Sequence, residues 1–182
     1  MAKKVRIGFV GGGFMGQLAH ISNYAKLEDV ELVALAEGRP ELARKVADRY
    51  GIGGVYPNHK ELLANAEVDA VVAIMHFNLH HAVVPDILNA GKHVITEKPM
   101  SITLEGCDRM INACDQNQVS LFVVKQNRLN TTMQLLKKAV DKGRFGRIYG
   151  AHVNVFWQRP QEYYDTAKWR GTWEFDGGAF MN

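Results

Sequence analysis

The sequence predicts an α/β fold built on a doubly wound parallel sheet. Three observations carry that expectation. Apolar runs alternate with stretches of helical period along roughly the first two-thirds of the chain, the runs are continuously rich in Val, Ile and Ala, and the first of them ends in a glycine-rich turn. Such alternation is the pattern of strand–helix–strand units. Unbroken apolar strands suit a sheet covered by helices on both faces.

The elements follow in order. Val5–Val10 is the first strand, with an amphipathic helix near 14–27 behind it, and Val30–Ala36 is the second, followed by a helix near 40–50. A helix near 59–65 leads to the strand Ala70–Met75, a helix near 80–90 to the strand His93–Thr96, and a helix near 103–117 to the strand Val119–Val124. The sheet domain is read as 1–125. Residues Asn130–Lys142 have the period of another amphipathic helix, Gly143–Gly146 break it, and Arg147–Trp157 begins an extended strand with alternation at Val153, Val155 and Trp157. A second domain, 126–182, is expected to start there.

With 182 residues, 47% of them hydrophobic, the chain has room for one such domain and part of another. No apolar run reaches the length of a membrane span, and Met1-Ala2-Lys3-Lys4 leads into a strand instead of a signal sequence, so a cytoplasmic protein off the membrane is expected. The net charge of +3 comes from scattered Lys and Arg without the stripe that nucleic-acid binding needs. Cys107 and Cys114 stand at helical spacing and read as small packing residues, neither disulfide nor metal ligand.

The glycine-rich turn is Gly11-Gly12-Gly13-Phe14-Met15-Gly16. Directly after a strand and before a helix, this spacing makes a pyrophosphate cradle. Gly11 allows the tight turn, Gly13 lets the backbone approach the diphosphate, and Gly16 lets the helix pack on the strand, its N-terminal amides facing the anion. Phe14 and Met15 sit within the cradle. Glu37, at the end of the second strand, is placed to accept hydrogen bonds from the adenosine ribose, which favours NAD. Arg39 leaves NADP as the alternative, because a guanidinium grips a 2′-phosphate bidentately.

Two further groups lie just past strand ends, where ligands of such sheets bind. Glu97-Lys98-Pro99 follows His93–Thr96 and would put an ammonium group where nicotinamide meets a hydroxyl-bearing substrate. Pro99 would fix the turn that aims it. His76, Asn78 and His80 follow the strand Ala70–Met75 and read as cofactor contacts or helix caps; with no Cys or acid interspersed, no metal is expected.

The glycine turn, Ala90-Gly91-Lys92-His93-Val94 and Glu97-Lys98-Pro99 together resemble the Gfo/Idh/MocA sugar dehydrogenases, the family of glucose–fructose oxidoreductase and inositol 2-dehydrogenase. The resemblance implies a Rossmann domain followed by a domain built on a large open β-sheet, with Glu97 at the cofactor and Lys98 catalytic. The stretches Val123–Arg128, Phe145–Tyr149, Phe156–Asp165 and Lys168–Asn182 resemble one branch, the UDP-N-acetylglucosaminuronate 3-dehydrogenases of surface-polysaccharide biosynthesis. That branch oxidises the sugar C3 hydroxyl with NAD for a partner aminotransferase. On this likeness Gln126 would touch cofactor, Asn127 and Arg128 substrate, and Asn182 would orient the substrate beside Lys98. A histidine four residues further on, which by the resemblance serves as or shares the acid–base role, would fall past Asn182, so either a piece of a longer enzyme or a fragment that binds cofactor without turnover is expected. Family members of this kind assemble as dimers or tetramers.

Chemistry agrees with a nucleotide-sugar acid. Arg159 and Arg170 can clamp a carboxylate or diphosphate, while Tyr163, Tyr164, Trp169 and Trp173 offer flat faces to sugar or uracil. The alternatives are another sugar or polyol dehydrogenase, such as an inositol enzyme, and a non-catalytic regulator that responds to dinucleotide.

Overall fold

The computed structural model describes residues 3–177, which fall into two compact units dividing between Val124 and Lys125. Asn182 lies outside the described residues.

The first unit is a six-stranded, all-parallel sheet in the order β3-β2-β1-β4-β5-β6. Its strands are β1 (Val5–Val10), β2 (Val30–Ala36), β3 (Gly54–Tyr56), β4 (Ala70–Ala73), β5 (His93–Thr96) and β6 (Leu121–Val123). The order reverses between β1 and β4, and such a reversal opens a crevice beyond the carboxyl ends of the strands.

The unbroken apolar runs have a simple packing reason. Successive strand residues point to opposite faces, and both faces are covered. Ile7, Phe9, Leu35 and Val72 pack with Ile21, Val46 and Ala47 on one side. Val10, Ala34, Ala36, Val71, Ala73 and Val94 pack with Leu62, Ile87, Leu88 and Met110 on the other. Each fully enclosed aliphatic or aromatic side chain contributes about 1.5–3 kcal/mol relative to exposure.

The helices are α1, which runs as a π-helix over Gly16–Ile21 and as an α-helix over Ser22–Tyr24, then α2 (Pro40–Tyr50), α3 (His59–Asn65), α4 (His80–Asn89) and α5 (Leu104–Asn117). Side-chain caps set two of their starts. Asn58 Oδ1 accepts from Glu61 N at 2.9 Å, and Thr103 Oγ1 accepts from Gly106 N at 3.0 Å. Such caps contribute about 1 kcal/mol each. At the other end of β1, Arg6 donates to Asp69 at 2.9 and 3.2 Å, and the guanidinium holds the Asp69 carboxyl well below the usual carboxylate range.

Three expectations are corrected. β3 was not foreseen: it is three residues long and is defined by its partner, through Ala34↔Gly54 and Ala36↔Tyr56. β4 stops at Ala73, and Ile74 and Met75 beyond it pack against the two sides of the core. Residues 147–157 form no strand, because a strand needs a neighbour for its backbone groups and the described residues of the second unit supply none. That unit has a 3₁₀ turn (Gln126–Leu129), α6 (Thr131–Asp141) and α7 (Gln161–Asp165).

Candidate functional site

The glycine turn closes on its neighbours by contact. Gly11 has φ +102°, and a Cβ there would stand 2.6 Å from the Ile74 carbonyl oxygen; a Cβ on Gly16 would stand 2.5 Å from the Gly11 carbonyl oxygen. Neither position admits a side chain without moving backbone. Gly13 differs, since a Cβ there would meet only Arg39 Nη2, at 3.6 Å, so the outer side of the turn is open to close approach. Phe14 and Met15 are exposed at the start of α1. An open glycine turn capping a helix fits a pyrophosphate group.

Glu37 and Arg39 form one unit beside that turn. The buried Glu37 carboxylate accepts from Gly12 N at 2.9 Å through Oε2, and takes the Arg39 guanidinium through Nε at 2.8 Å and Nη2 at 3.0 Å. Burial acts to raise the Glu37 pKa, but the hydrogen bonds from Arg39 and Gly12 outweigh it and hold the carboxyl below its ordinary value. The Arg39 guanidinium, the candidate grip for a 2′-phosphate, is therefore paired with a carboxylate. This arrangement suits a ribose hydroxyl better than a phosphate.

Across the crevice, His76 Nδ1 lies 2.7 Å from Asn78 Oδ1, and the imidazole stacks on Phe77 with ring centroids 4.5 Å apart. The same ring nitrogen stands 3.4 Å from Asn78 N, at the start of the 3₁₀ turn Phe77–Leu79. His80, expected among cofactor contacts, is 0% exposed. Its Nδ1 is 3.0 Å from the Pro99 carbonyl oxygen and 3.4 Å from Thr96 Oγ1. Burial pushes its pKa down, so the ring is neutral and holds the turn after β5 from behind.

That turn carries Glu97, Lys98 and Pro99, with a cis Lys98–Pro99 peptide. Glu97 Oε1 is 2.8 Å from His20 Nε2, and Oε2 accepts from Lys98 N at 3.2 Å. Burial acts to raise the Glu97 pKa, while the His20 hydrogen bond and charge bring it below the ordinary glutamate value. Sequence reasoning missed His20. Its one signal was a lone histidine on the buried face of α1, which reads equally well as a packed core residue.

In the second unit several expected substrate residues meet. The Arg159 guanidinium carbon lies 3.6 Å from the Trp157 ring centroid and 4.8 Å from that of Tyr163. Arg170 lies 4.0 Å from Tyr163 and 4.8 Å from Trp169. Tyr164 meets Tyr163 edge-on at 5.2 Å. Guanidinium groups held over rings keep their in-plane N–H donors available to an anion. Trp173 stands apart from these contacts and is exposed, and Gln126, Asn127 and Arg128 are exposed in their 3₁₀ turn. Asp176, not anticipated, is buried and accepts from Gly171 N at 2.7 Å, closing the loop after Arg170. Among the described residues no three or more His, Cys, Asp or Glu gather as metal ligands, and no helix is long and apolar enough to cross a membrane.

Comparison with known proteins matches both units. Residues 5–125 match the model of an oxidoreductase family with an NAD-binding Rossmann fold, and residues 133–182 match a GFO/IDH/MocA C-terminal domain. The WlbA dehydrogenase from Bordetella pertussis, solved with NADH and UDP-GlcNAcA, is 46% identical with a TM-score of 0.91, over 99% of this chain and 52% of that one. The WlbA dehydrogenase from Chromobacterium violaceum, also solved with NADH and UDP-GlcNAcA, is 44% identical with a TM-score of 0.92, over 100% and 52%. An inositol 2-dehydrogenase/D-chiro-inositol 3-dehydrogenase from Shouchella clausii is 40% identical over 157 residues, 83% of this chain and 45% of the relative. The chain thus spans about half the length of the proteins it matches.

Proposed function

The chain belongs to the GFO/IDH/MocA oxidoreductase family, and from that premise we propose that the whole protein is an NAD-dependent dehydrogenase oxidising the C3 hydroxyl of UDP-N-acetylglucosaminuronate. The observation that carries this reading is the 46% identity, along 99% of the chain, to a dehydrogenase solved with NADH and UDP-GlcNAcA.

The residues suit that chemistry. The turn Gly11–Gly16 and the first amides of α1 would hold the pyrophosphate, with Phe14 and Met15 beside it, and Glu37, backed by Arg39, would take the ribose hydroxyls. His76 and Asn78 would contact the cofactor, and Gln126 is a further expected cofactor residue. NAD, when bound, supplies the hydride acceptor. Lys98 would orient the C3 hydroxyl and, as the neutral amine, accept its proton or share that role with a histidine beyond Asn182, while the hydrogen on C3 leaves as hydride and the carbon becomes a ketone. Asn182 would help orient the substrate. Arg159 and Arg170 would pair with the uronate or diphosphate, Tyr163, Tyr164 and Trp169 would face sugar or uracil, and Asn127 and Arg128 would complete the contacts. In this reading the protein works in the cytoplasm as a homo-oligomer, in nucleotide-sugar steps of polysaccharide biosynthesis.

A second reading rests on the Shouchella relative: oxidation of a free inositol. NADH absorbance separates the two. The full-length protein is given NAD or NADP with UDP-N-acetylglucosaminuronate, UDP-N-acetylglucosamine or myo-inositol, and an aminotransferase to draw off a 3-keto product. Turnover of the UDP-uronate with NAD is expected. Turnover of myo-inositol alone would establish the second reading instead.

A further inference from the structure

The contact between His20 and Glu97 joins two parts of the crevice that are 77 residues apart in the chain. His20 belongs to the helix that starts at the glycine turn, and Glu97 stands next to Lys98 at the end of β5. Their side chains are 7% and 18% exposed, so this is an enclosed pair and not a surface contact. The carboxylate is held at both oxygens, by the His20 imidazole on one and the Lys98 backbone N–H on the other. It therefore works as a bracket between α1 and the backbone of the very residue that is read as reactive.

The winding of α1 delivers the ring. Gly16 packs directly on the Gly11 carbonyl, Ile21 is in the core, and His20 lies between them within the π-helical stretch Gly16–Ile21. Short π-helical turns recur at functional sites. A buried carboxylate that loses a donor seeks another. Glu97 already feels the charge of Lys98. Without His20, the charge of Lys98 is left to act on Glu97 without that of the imidazole.

We propose that His20 is a positioning residue for Lys98: by holding Glu97 Oε1 it keeps Oε2 on the Lys98 backbone N–H, and it shares a carboxylate charge that would otherwise fall to Lys98. The same bond ties the helix of the glycine turn to the Lys98 turn. The inference rests on the reading of Lys98 given above.

The test uses the full-length protein with His20→Leu, His20→Gln, Glu97→Gln and the His20→Leu/Glu97→Gln double variant. Misplacing a reactive group costs up to about 100-fold, so His20→Leu is expected to lower kcat by about 10- to 100-fold while NADH affinity, read by fluorescence, stays within about threefold. Glutamine keeps an N–H donor, so His20→Gln should recover most of the rate. The double variant should be no worse than the poorer single one, because both remove one contact. A second readout needs no substrate: the rate at which an acylating reagent labels Lys98 in the apoprotein, followed by mass spectrometry. That labelling should slow in His20→Leu and return in His20→Gln. Wild-type labelling and kcat in His20→Leu, or a loss that glutamine does not rescue and that tracks a fall in melting temperature, would overturn the proposal. If the wild-type protein turns over nothing in the substrate panel, the proposed function fails, whereas the labelling result still decides the role of His20.

Discussion

In the first unit Phe9, Leu35, Ile87 and Leu88 are wholly enclosed, while in the second Phe156 is 95% and Trp173 93% exposed. Both units carry apolar residues in strand-like or helical patterns. The first also carries the surfaces that answer them: every strand of its sheet has at least one parallel neighbour, and helices cover both faces. In the second, α6 and residues 147–157 present their apolar side chains outward. An alternating pattern states what a segment can pair with. It becomes a strand only where a partner lies within hydrogen-bonding reach.

The contrast is sharpest in what single changes should do. Replacing Lys98 by Ala in the full-length protein should lower kcat by at least about 100-fold, the scale of a lost acid–base group, while NADH still binds; a kcat within severalfold of wild type would remove Lys98 from the chemistry. Ile87→Ala in the first unit should cost about 2–5 kcal/mol in denaturant unfolding, because the site is enclosed on all sides. Gly11→Ala forces a left-handed φ on a side chain and presses it against the Ile74 carbonyl, so a loss of about 1–3 kcal/mol and a weaker hold on NADH are expected. In the 182-residue chain taken by itself, Phe156→Ser should shift stability by less than about 0.5 kcal/mol, as an exposed position does. A large loss there would show that the second unit has a core of its own.

Acid should act on the first unit in a defined direction. Glu37, Glu97 and His80 all have pKa values held below their ordinary ones. Each gives up its proton more readily folded than unfolded. Its contribution is thus present above the unfolded value, about 6.5 for His and about 4.3 for Glu, and is lost as pH falls through the folded value. Melting temperature against pH should therefore decline first as His80 is forced to charge and again as the glutamates protonate. His80→Gln should flatten the earlier decline and leave the later one, and an unchanged profile in that variant would contradict the assignment.

How far the site could be read from sequence depends on what each residue answers to. Gly11 and Gly16 are legible because a tight strand-to-helix turn demands glycine at those places, and Glu37 because a strand end beside that turn sets its carboxylate on Gly12 N. Gly11 and Gly16 are enforced by carbonyl oxygens under 3 Å from a would-be Cβ. His80 misled because nearness to a strand end suggests a ligand, whereas its ring turns inward to Pro99. His20 was hidden, since its meaning lies in a partner 77 residues away. β3 was invisible for a similar reason, being three residues that pair only because β2 lies beside them. Local pattern reports local demands, and these features are long-range.

The central claim is that a hydride leaves C3 of a nucleotide-linked uronate for the cofactor held by the glycine turn. The most direct measurement supplies the full-length protein with NAD and UDP-N-acetylglucosaminuronate deuterated at C3, then weighs the reduced cofactor by mass spectrometry. Deuterium in the NADH, together with slower turnover than with the unlabelled sugar, is the predicted result. Reduced cofactor without deuterium, or no reduction at all while myo-inositol is oxidised, would contradict it.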